Sequence, residues 1–157
     1  RLSGFDTNQI TYVRAYAINH KGVTYGEPRV LYIPEFKDMG DYIIIGPLGL
    51  AVQKEDIGRG NWDSIVTLCK NSRVGGYSDW RLPNIQELAG LYNLKERIGG
   101  FYTNQTSSYI WYWSSTPDYP GYNSDYKTVD FSSGSVYKHY CNDIHYHSGR
   151  AVRTLTK

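Results

Sequence analysis

The sequence predicts an α+β domain, and three observations predict it. Two stretches with helical spacing of apolar residues lie close together in the middle of the chain, near residues 61–72 and 84–98. The rest carries short alternating or β-branched runs, punctuated by Gly, Pro, Asn and Asp. Strands and helices are thus grouped, not alternated as in a parallel βαβ layout.

Taken in order, residues 1–34 read as two strands. Ile10 to Ala17 alternates, with Tyr12, Arg14 and Tyr16 on one face and Val13, Ala15 and Ala17 on the other. Asn19-His20-Lys21-Gly22 is a turn signal, and Tyr25-Gly26-Glu27-Pro28 leads into Val30-Leu31-Tyr32-Ile33. A lone hairpin is marginal in water, so this one is expected to pack on something. Pro34 and the polar residues 35–41 read as a linker. The main domain then runs over 42–157. It opens with strands at Tyr42–Ile45 and Leu50–Gln53 around a Gly46-Pro47 turn. The first helix spans Asn61 to Ser72, because Trp62, Ile65, Val66 and Cys69 form a single apolar stripe. Val74-Gly75-Gly76 stops it. The second follows Pro83, with Asn84 and Glu87 spaced as a capping box and Ile85, Leu88, Leu91 and Tyr92 on its buried face; Gly99-Gly100 marks its limit. Three further strands are expected at Trp111–Ser115, Lys127–Phe131 and Arg150–Leu155, joined by polar loops.

Composition narrows the function. Lys and Arg number 17 against 15 Asp and Glu, a net charge of +2, and the basic residues are scattered. No clustered basic stripe exists to hold a nucleic acid, and no apolar run is long enough to span a membrane. Tyrosine is the outlier, at 16 against 4 Phe and 4 Trp. A core needing only aromatic volume would take Phe, which has no hydroxyl to satisfy. The tyrosines therefore either decorate strands, which they favour, or form a partly wet contact surface of paratope type. Cys69 and Cys141 are too few for a disulfide scaffold, and Cys69 lies on the core stripe of a helix.

Catalytic motifs do not emerge. Trp113-Ser114-Ser115-Thr116 is rich in hydroxyls but lacks the Gly-x-Ser-x-Gly elbow and a His partner. Gly58-Arg59-Gly60 is not a phosphate loop. His145-Tyr146-His147, with Asp143 or Cys141 near, offers metal-ligand types, yet no second His-x-His or Cys-x-x-Cys accompanies it; chance proximity in a polar loop is the better reading. No enzyme activity, metal or cofactor is expected.

Four ordered blocks carry a resemblance. They are Asp79-Trp80-Arg81-Leu82-Pro83 with Glu87-Leu88, then Tyr112-Trp113-Ser114-Ser115-Thr116, Val129-Asp130-Phe131 with Gly134, and Arg150-Ala151-Val152-Arg153. From about Gly40 to its end the chain resembles the C-terminal domain family of bacterial collagen-like proteins (Lcl C-terminal-like). The resemblance implies a C-type-lectin-like fold, an extracellular setting and binding of glycans or proteins. Trp80 and Leu82 would anchor the core, and Arg81 would pair with Asp79, Glu87 or carbonyls at the second helix. Where family members carry a Cys in the final block this chain has Ala151, so a disulfide from Cys69 to that strand is lost. The oxygen-rich runs of calcium-dependent lectins are missing, and calcium is not expected. Residues 12–26, from Tyr12-Val13-Arg14-Ala15-Tyr16-Ala17 to Tyr25-Gly26, resemble the last two strands of a fibronectin type III domain. That implies a piece of a longer exported protein, at the bacterial surface or secreted.

The segment from Tyr119 to Ser148 contains no Glu, Gln, Met or Trp, and its only long basic residues are Lys127 and Lys138. With the Trp-Ser-Ser block, the Phe-x-x-Gly block and the terminal Val-Arg strand, it resembles the variable proteins of diversity-generating retroelements. The ligand-binding residues expected are Tyr119, Tyr122, Asn123, Ser124, Asp125, Tyr126, Tyr137, His139, Tyr140, Asn142, Asp143, His145, Tyr146 and His147, in two loop clusters. Ser133, Ser135, Cys141 and Ile144 complete the positions that the resemblance marks as changeable. The expected partner is a protein or glycan on a host, prey or neighbouring cell, with no nucleic acid and no membrane span. Two other readings are an enzyme related to the formylglycine-generating enzyme, which needs a reactive cysteine pair, and a structural pilus or stalk-tip subunit.

Overall fold

The computed structural model describes residues 11–13, 15–27, 29–31, 36–102, 110–119, 121, 124–142 and 147–155. Near the N-terminus, β1 (Thr11–Val13) pairs antiparallel with β4 (Arg29–Leu31), and β2 (Tyr16–Asn19) with β3 (Gly22–Tyr25). The expected continuous strand through Ala17 is thus interrupted. Tyr16 faces Tyr25 while Val13 faces Arg29, so the two pairings differ in register by one residue. The side chains of β2 and β3 are exposed throughout, with Tyr16 against Tyr25 and Ile18 opposite Val23; packing of this hairpin, expected from its sequence, is not seen among the described residues.

The main domain begins earlier than its sequence suggests. Phe36–Asp38, inside the expected linker, forms β5 and pairs with β6 (Tyr42–Ile45), because Phe36 covers one of the cores. A 3-10 turn at Gly46–Leu48 leads to β7 (Leu50–Gln53), then β8 (Gly58–Gly60) and helix α1 (Trp62–Asn71). The side chain of Asn61 caps α1 by accepting from the Ser64 N–H. Helix α2 (Ile85–Asn93) starts with the predicted capping box: the Asn84 side chain accepts from the Glu87 N–H, and the Glu87 carboxylate accepts from the Asn84 N–H at 2.8 Å. A short α3 (Lys95–Ile98) precedes β9 (Trp111–Pro117), β10 (Asp125–Asp130), β11 (Val136–Tyr140), β12 (His147–Gly149) and β13 (Val152–Thr154).

These elements make an α+β fold with two sheets. One is ordered β11-β10-β9-β12-β8, the other β13-β7-β6-β5. All their pairings are antiparallel except β12 on β9. The period-2 alternation of strands divides their residues between two cores. Ile43, Ile45, Leu50, Val52, Tyr112, Val129 and Val152 join Leu88 and Leu91 of α2 and Ile98 of α3. Their neighbours Tyr42, Ala51, Trp113, Tyr126 and Ala151 join Ile65 and Cys69 of α1, with Trp80 and Leu82. Cys69 and Ala151 thus share a core, and both cysteines are free thiols.

Ion pairs tie the sequence blocks together. Arg81 donates to both carboxylate oxygens of Glu87, at 2.8 and 2.9 Å, and to the Thr154 hydroxyl at 2.8 Å. Asp79 instead holds Arg153, at 2.7 and 3.1 Å. Arg150 has a fully buried side chain. It donates to Asp56 and to the carbonyls of Gln53, Lys54, Gly99 and Gly100 and lies over the Phe101 ring. One cation therefore ties the ends of two loops to the last sheet, satisfying carbonyls that would otherwise be stranded.

Candidate recognition face

The hairpin of β10 and β11 builds the most exposed structured part of the predicted segment. Its turn is set by Asp130, whose carboxylate accepts from the N–H of Ser132 and from the hydroxyls of Ser132 and Ser133. Burial acts against the charge on Asp130, but these bonds and one from the Ile110 N–H outweigh it and hold the carboxyl below its usual range. Gly134 closes the turn at φ +81°, and a Cβ there would stand 2.5 Å from the Tyr92 ring. Only glycine fits both the left-handed backbone and that contact.

Ser133 and Ser135 are exposed at this turn. Beyond it, β11 is the outer strand of its sheet, with Val136, Tyr137, Lys138 and Tyr140 exposed and His139 half-buried. Tyr140 is 65% and Tyr119 62% exposed, large fractions for rings of their size. Lys138 links the two predicted clusters. Its ammonium is 3.7 Å from Asp118 and 5.8 Å from the Tyr119 ring centroid, so the β9–β10 connection lies beside β11. Ser124 and Asn142 are exposed nearby, and Asp125 is half-buried at the start of β10.

On the opposite side of β11 the aromatic residues continue inward. His139 lies 4.6 Å from Trp111 and 4.3 Å from His147, and His147 is 4.5 Å from Trp113, all between ring centroids. Tyr137 forms the exposed end of this row, 6.5 Å from Trp111. Among the described residues no group of three or more His, Cys, Asp or Glu is placed to hold a metal ion.

Two predicted contact residues are elsewhere than expected. His147 is only 1% exposed, because it sits on β12, which pairs with β8 and β9 inside the sheet. Tyr126 is 6% exposed and stacks on Trp62 at 3.7 Å and 12°, a packing contact between β10 and α1. Both are corrected to scaffold. Cys141, read as a changeable surface residue, is half-buried; its N–H donates to the Ser124 carbonyl and its own carbonyl accepts from the Trp62 N–H. The second cluster is likewise a strand, not a loop, over 136–140. Tyr122, Asn123, Asp143, Ile144, His145 and Tyr146 lie outside the described residues. Sequence reasoning missed Val136, Lys138 and Asp118 as members of this surface; a turn at Ser132-Ser133-Gly134 followed by Val, Tyr and Tyr was the available signal.

Two concavities lie outside this face. One, of about 390 Å³, is walled by α3, Phe101, Tyr102 and Phe131. The other, of about 360 Å³, has the Trp62–Tyr126 stack as its wall, with Lys70, Arg81 and Ser115 at hand. Asp56 is pushed above the usual carboxyl range by burial, against the pull of Arg150, Tyr112 and the Tyr102 N–H. Its surroundings are saturated by structural bonds. Burial also pushes the Cys69 thiol up to about 12, far from a nucleophilic thiolate at neutral pH.

No curated protein matches the chain. The family model described as the Lcl C-terminal domain matches residues 49–153, which run from β7 into β13 and include the exposed hairpin and all of both cores except the β6 residues Tyr42, Ile43 and Ile45. By that match the chain belongs to the Lcl C-terminal domain family.

Proposed function

We propose that this domain is an extracellular ligand-binding module of adhesin or receptor type. Its contact surface is the outer face built from β11 and the β9–β10 connection. The observation that carries the reading is the coincidence of exposed Tyr119 and Tyr140 with Lys138, and of exposed Tyr137 on the other face of the same strand, on the segment richest in Tyr, Asn, Ser and Asp. Tyrosine gives large amphipathic contact area with few torsions to freeze, while short polar neighbours adapt. Membership in the Lcl C-terminal domain family supports a surface-displayed binding role and a bacterial source. No helix among the described residues is long and apolar enough to cross a membrane.

Three finer assignments go with this reading. The domain is of C-type-lectin-like class; its tail is a diversified receptor surface of the retroelement type; residues 1–34 close a fibronectin type III-like module. They are supported by the sequence blocks, the tail composition and the strand pattern respectively. A catalytic role of formylglycine-generating type is disfavoured by the buried Cys69 thiol. The test is binding of the labelled protein to a panel of bacterial and eukaryotic cells and to a glycan array, beside a Tyr119→Ala/Tyr137→Ala/Tyr140→Ala variant. Loss of capture with unchanged unfolding behaviour is expected. Equal capture by the two proteins would remove the assignment.

A further inference from the structure

Among the described residues the outer edge of β11 pairs with no further strand, and its hydrogen-bonding pattern is defined. The Ser135 carbonyl accepts from Asp130, at 2.9 Å, and the Cys141 N–H donates to Ser124, at 2.7 Å. Residues 135 and 141 therefore point their backbone groups at β10. By strand alternation 137 and 139 do so too, whereas Val136, Lys138 and Tyr140 point N–H and C=O outward. The edge thus offers alternating donors and acceptors repeating every two residues, roughly 6.8 Å apart.

Side-chain charge adds a second pattern. In the register of β10 and β11, Lys127 stands directly opposite Lys138, a pair without mutual backbone bonds in which Cα atoms approach to about 4.5 Å. Like charges placed this way are destabilising. Asp118 partly offsets Lys138 at 3.7 Å, but among the described residues no carboxylate pairs with Lys127. Val136 and Tyr140, both more than half exposed, share the face of the two ammonium groups.

We propose that the outer edge of β11 accepts an extended peptide segment of a partner protein as an added strand, with an acidic side chain of that segment seated against Lys127 and Lys138. This rests on the reading of the β11 region as the recognition face and names the partner chemistry. A glycan cannot match a two-residue ladder of backbone donors and acceptors, whereas an extended peptide does so with any sequence. Specificity then comes from alternate side chains: one carboxylate between the lysines, flanked by residues on Val136 and Tyr140. A second copy of this chain is a poor occupant. Antiparallel self-pairing centred on the strand would set Lys138 against its own copy, the arrangement that edge lysines prevent.

The probes are three acetylated, amidated heptapeptides of alternating Thr and Val: one with a central Glu, one with a central Lys, and the Glu peptide with alternate backbone amides methylated. Binding to the full chain is followed by amide chemical shifts of residues 136–140 and by fluorescence anisotropy. The Glu peptide is expected to bind at β11, at least ten times more tightly than the Lys peptide, with no binding after amide methylation. Lys138→Glu should reverse the preference between Glu and Lys. The proposal is overturned if no peptide binds, if methylation or charge makes no difference, or if sedimentation shows dimers whose contact is β11. Failure here with cell capture still lost in the tyrosine variant refutes the peptide mode alone. Peptide binding at β11 with cell capture unaffected refutes the broader reading alone.

Discussion

Replacing Arg150 by Met keeps the stem of the side chain and removes every donor. The wild-type side chain is fully buried, its guanidinium is 2.8 Å from the Asp56 carboxylate, and it satisfies carbonyls from Gln53 to Gly100. Breaking such a pair from one side typically costs about 3–5 kcal/mol, because the remaining charge stays behind. At about 2–4 °C per kcal/mol for a chain of this size, Tm should fall by roughly 6–20 °C. The loss should depend on pH. Burial already raises the Asp56 carboxyl, and without Arg150 it rises further. A carboxyl with a folded pKa above its unfolded one favours folding when protonated and disfavours it as pH rises through the folded value. The variant should therefore be closer to wild type at pH 5 than at pH 8. Urea unfolding followed by tryptophan fluorescence at both values measures this, and adding Asp56→Asn should recover part of the loss at pH 8. A loss below about 1 kcal/mol, or one unchanged by pH, would refute the account of Arg150 as a charge-bearing staple.

Gly134→Ala should cost about 2–4 kcal/mol, from a left-handed backbone and a clash with Tyr92, and should shift amide resonances of 136–140 more than those of α1; equilibrium unfolding and NMR check both. Glu87 is held below its usual 4.5: burial acts against the charge, but Arg81 and the Asn84 N–H outweigh it. Its contribution is present above the unfolded value and lost as pH falls through the folded one. Acid titration of stability should therefore steepen below about pH 4.5, and Glu87→Gln should flatten that limb. Cys69 should resist an aromatic disulfide reagent at pH 8 in the native protein and react at once in urea; rapid native labelling of Cys69 would reopen the catalytic reading.

Much of the scaffold was legible in the sequence because its signals are local. The stripe through Trp62, Ile65 and Cys69 and the Asn84–Glu87 box each lie within one or two helical turns; α1 falls within a residue of expectation, whereas the second expected helix breaks at Leu94 into α2 and α3. The strands β5, β8 and β12 were not legible. Each has three residues and is defined by its neighbours, as Gly58–Gly60 is by His147–Gly149. The same limit governs the site. Composition singled out Tyr119, Tyr137 and Tyr140, which are exposed, and Tyr126 and His147 alike, although one stacks on Trp62 and the other lies under Trp111 and Trp113. Residue type reveals what a side chain can do; only register reveals which side of a sheet it occupies.

The most direct test of the recognition face is hydrogen exchange on the protein free and bound to the panel member that captures it. Peptides covering 117–121 and 135–142 should slow on binding, while those covering α3 and the Trp62–Tyr126 groove stay unchanged. Protection at α3 or the groove, with 135–142 exchanging as in the free protein, would contradict it.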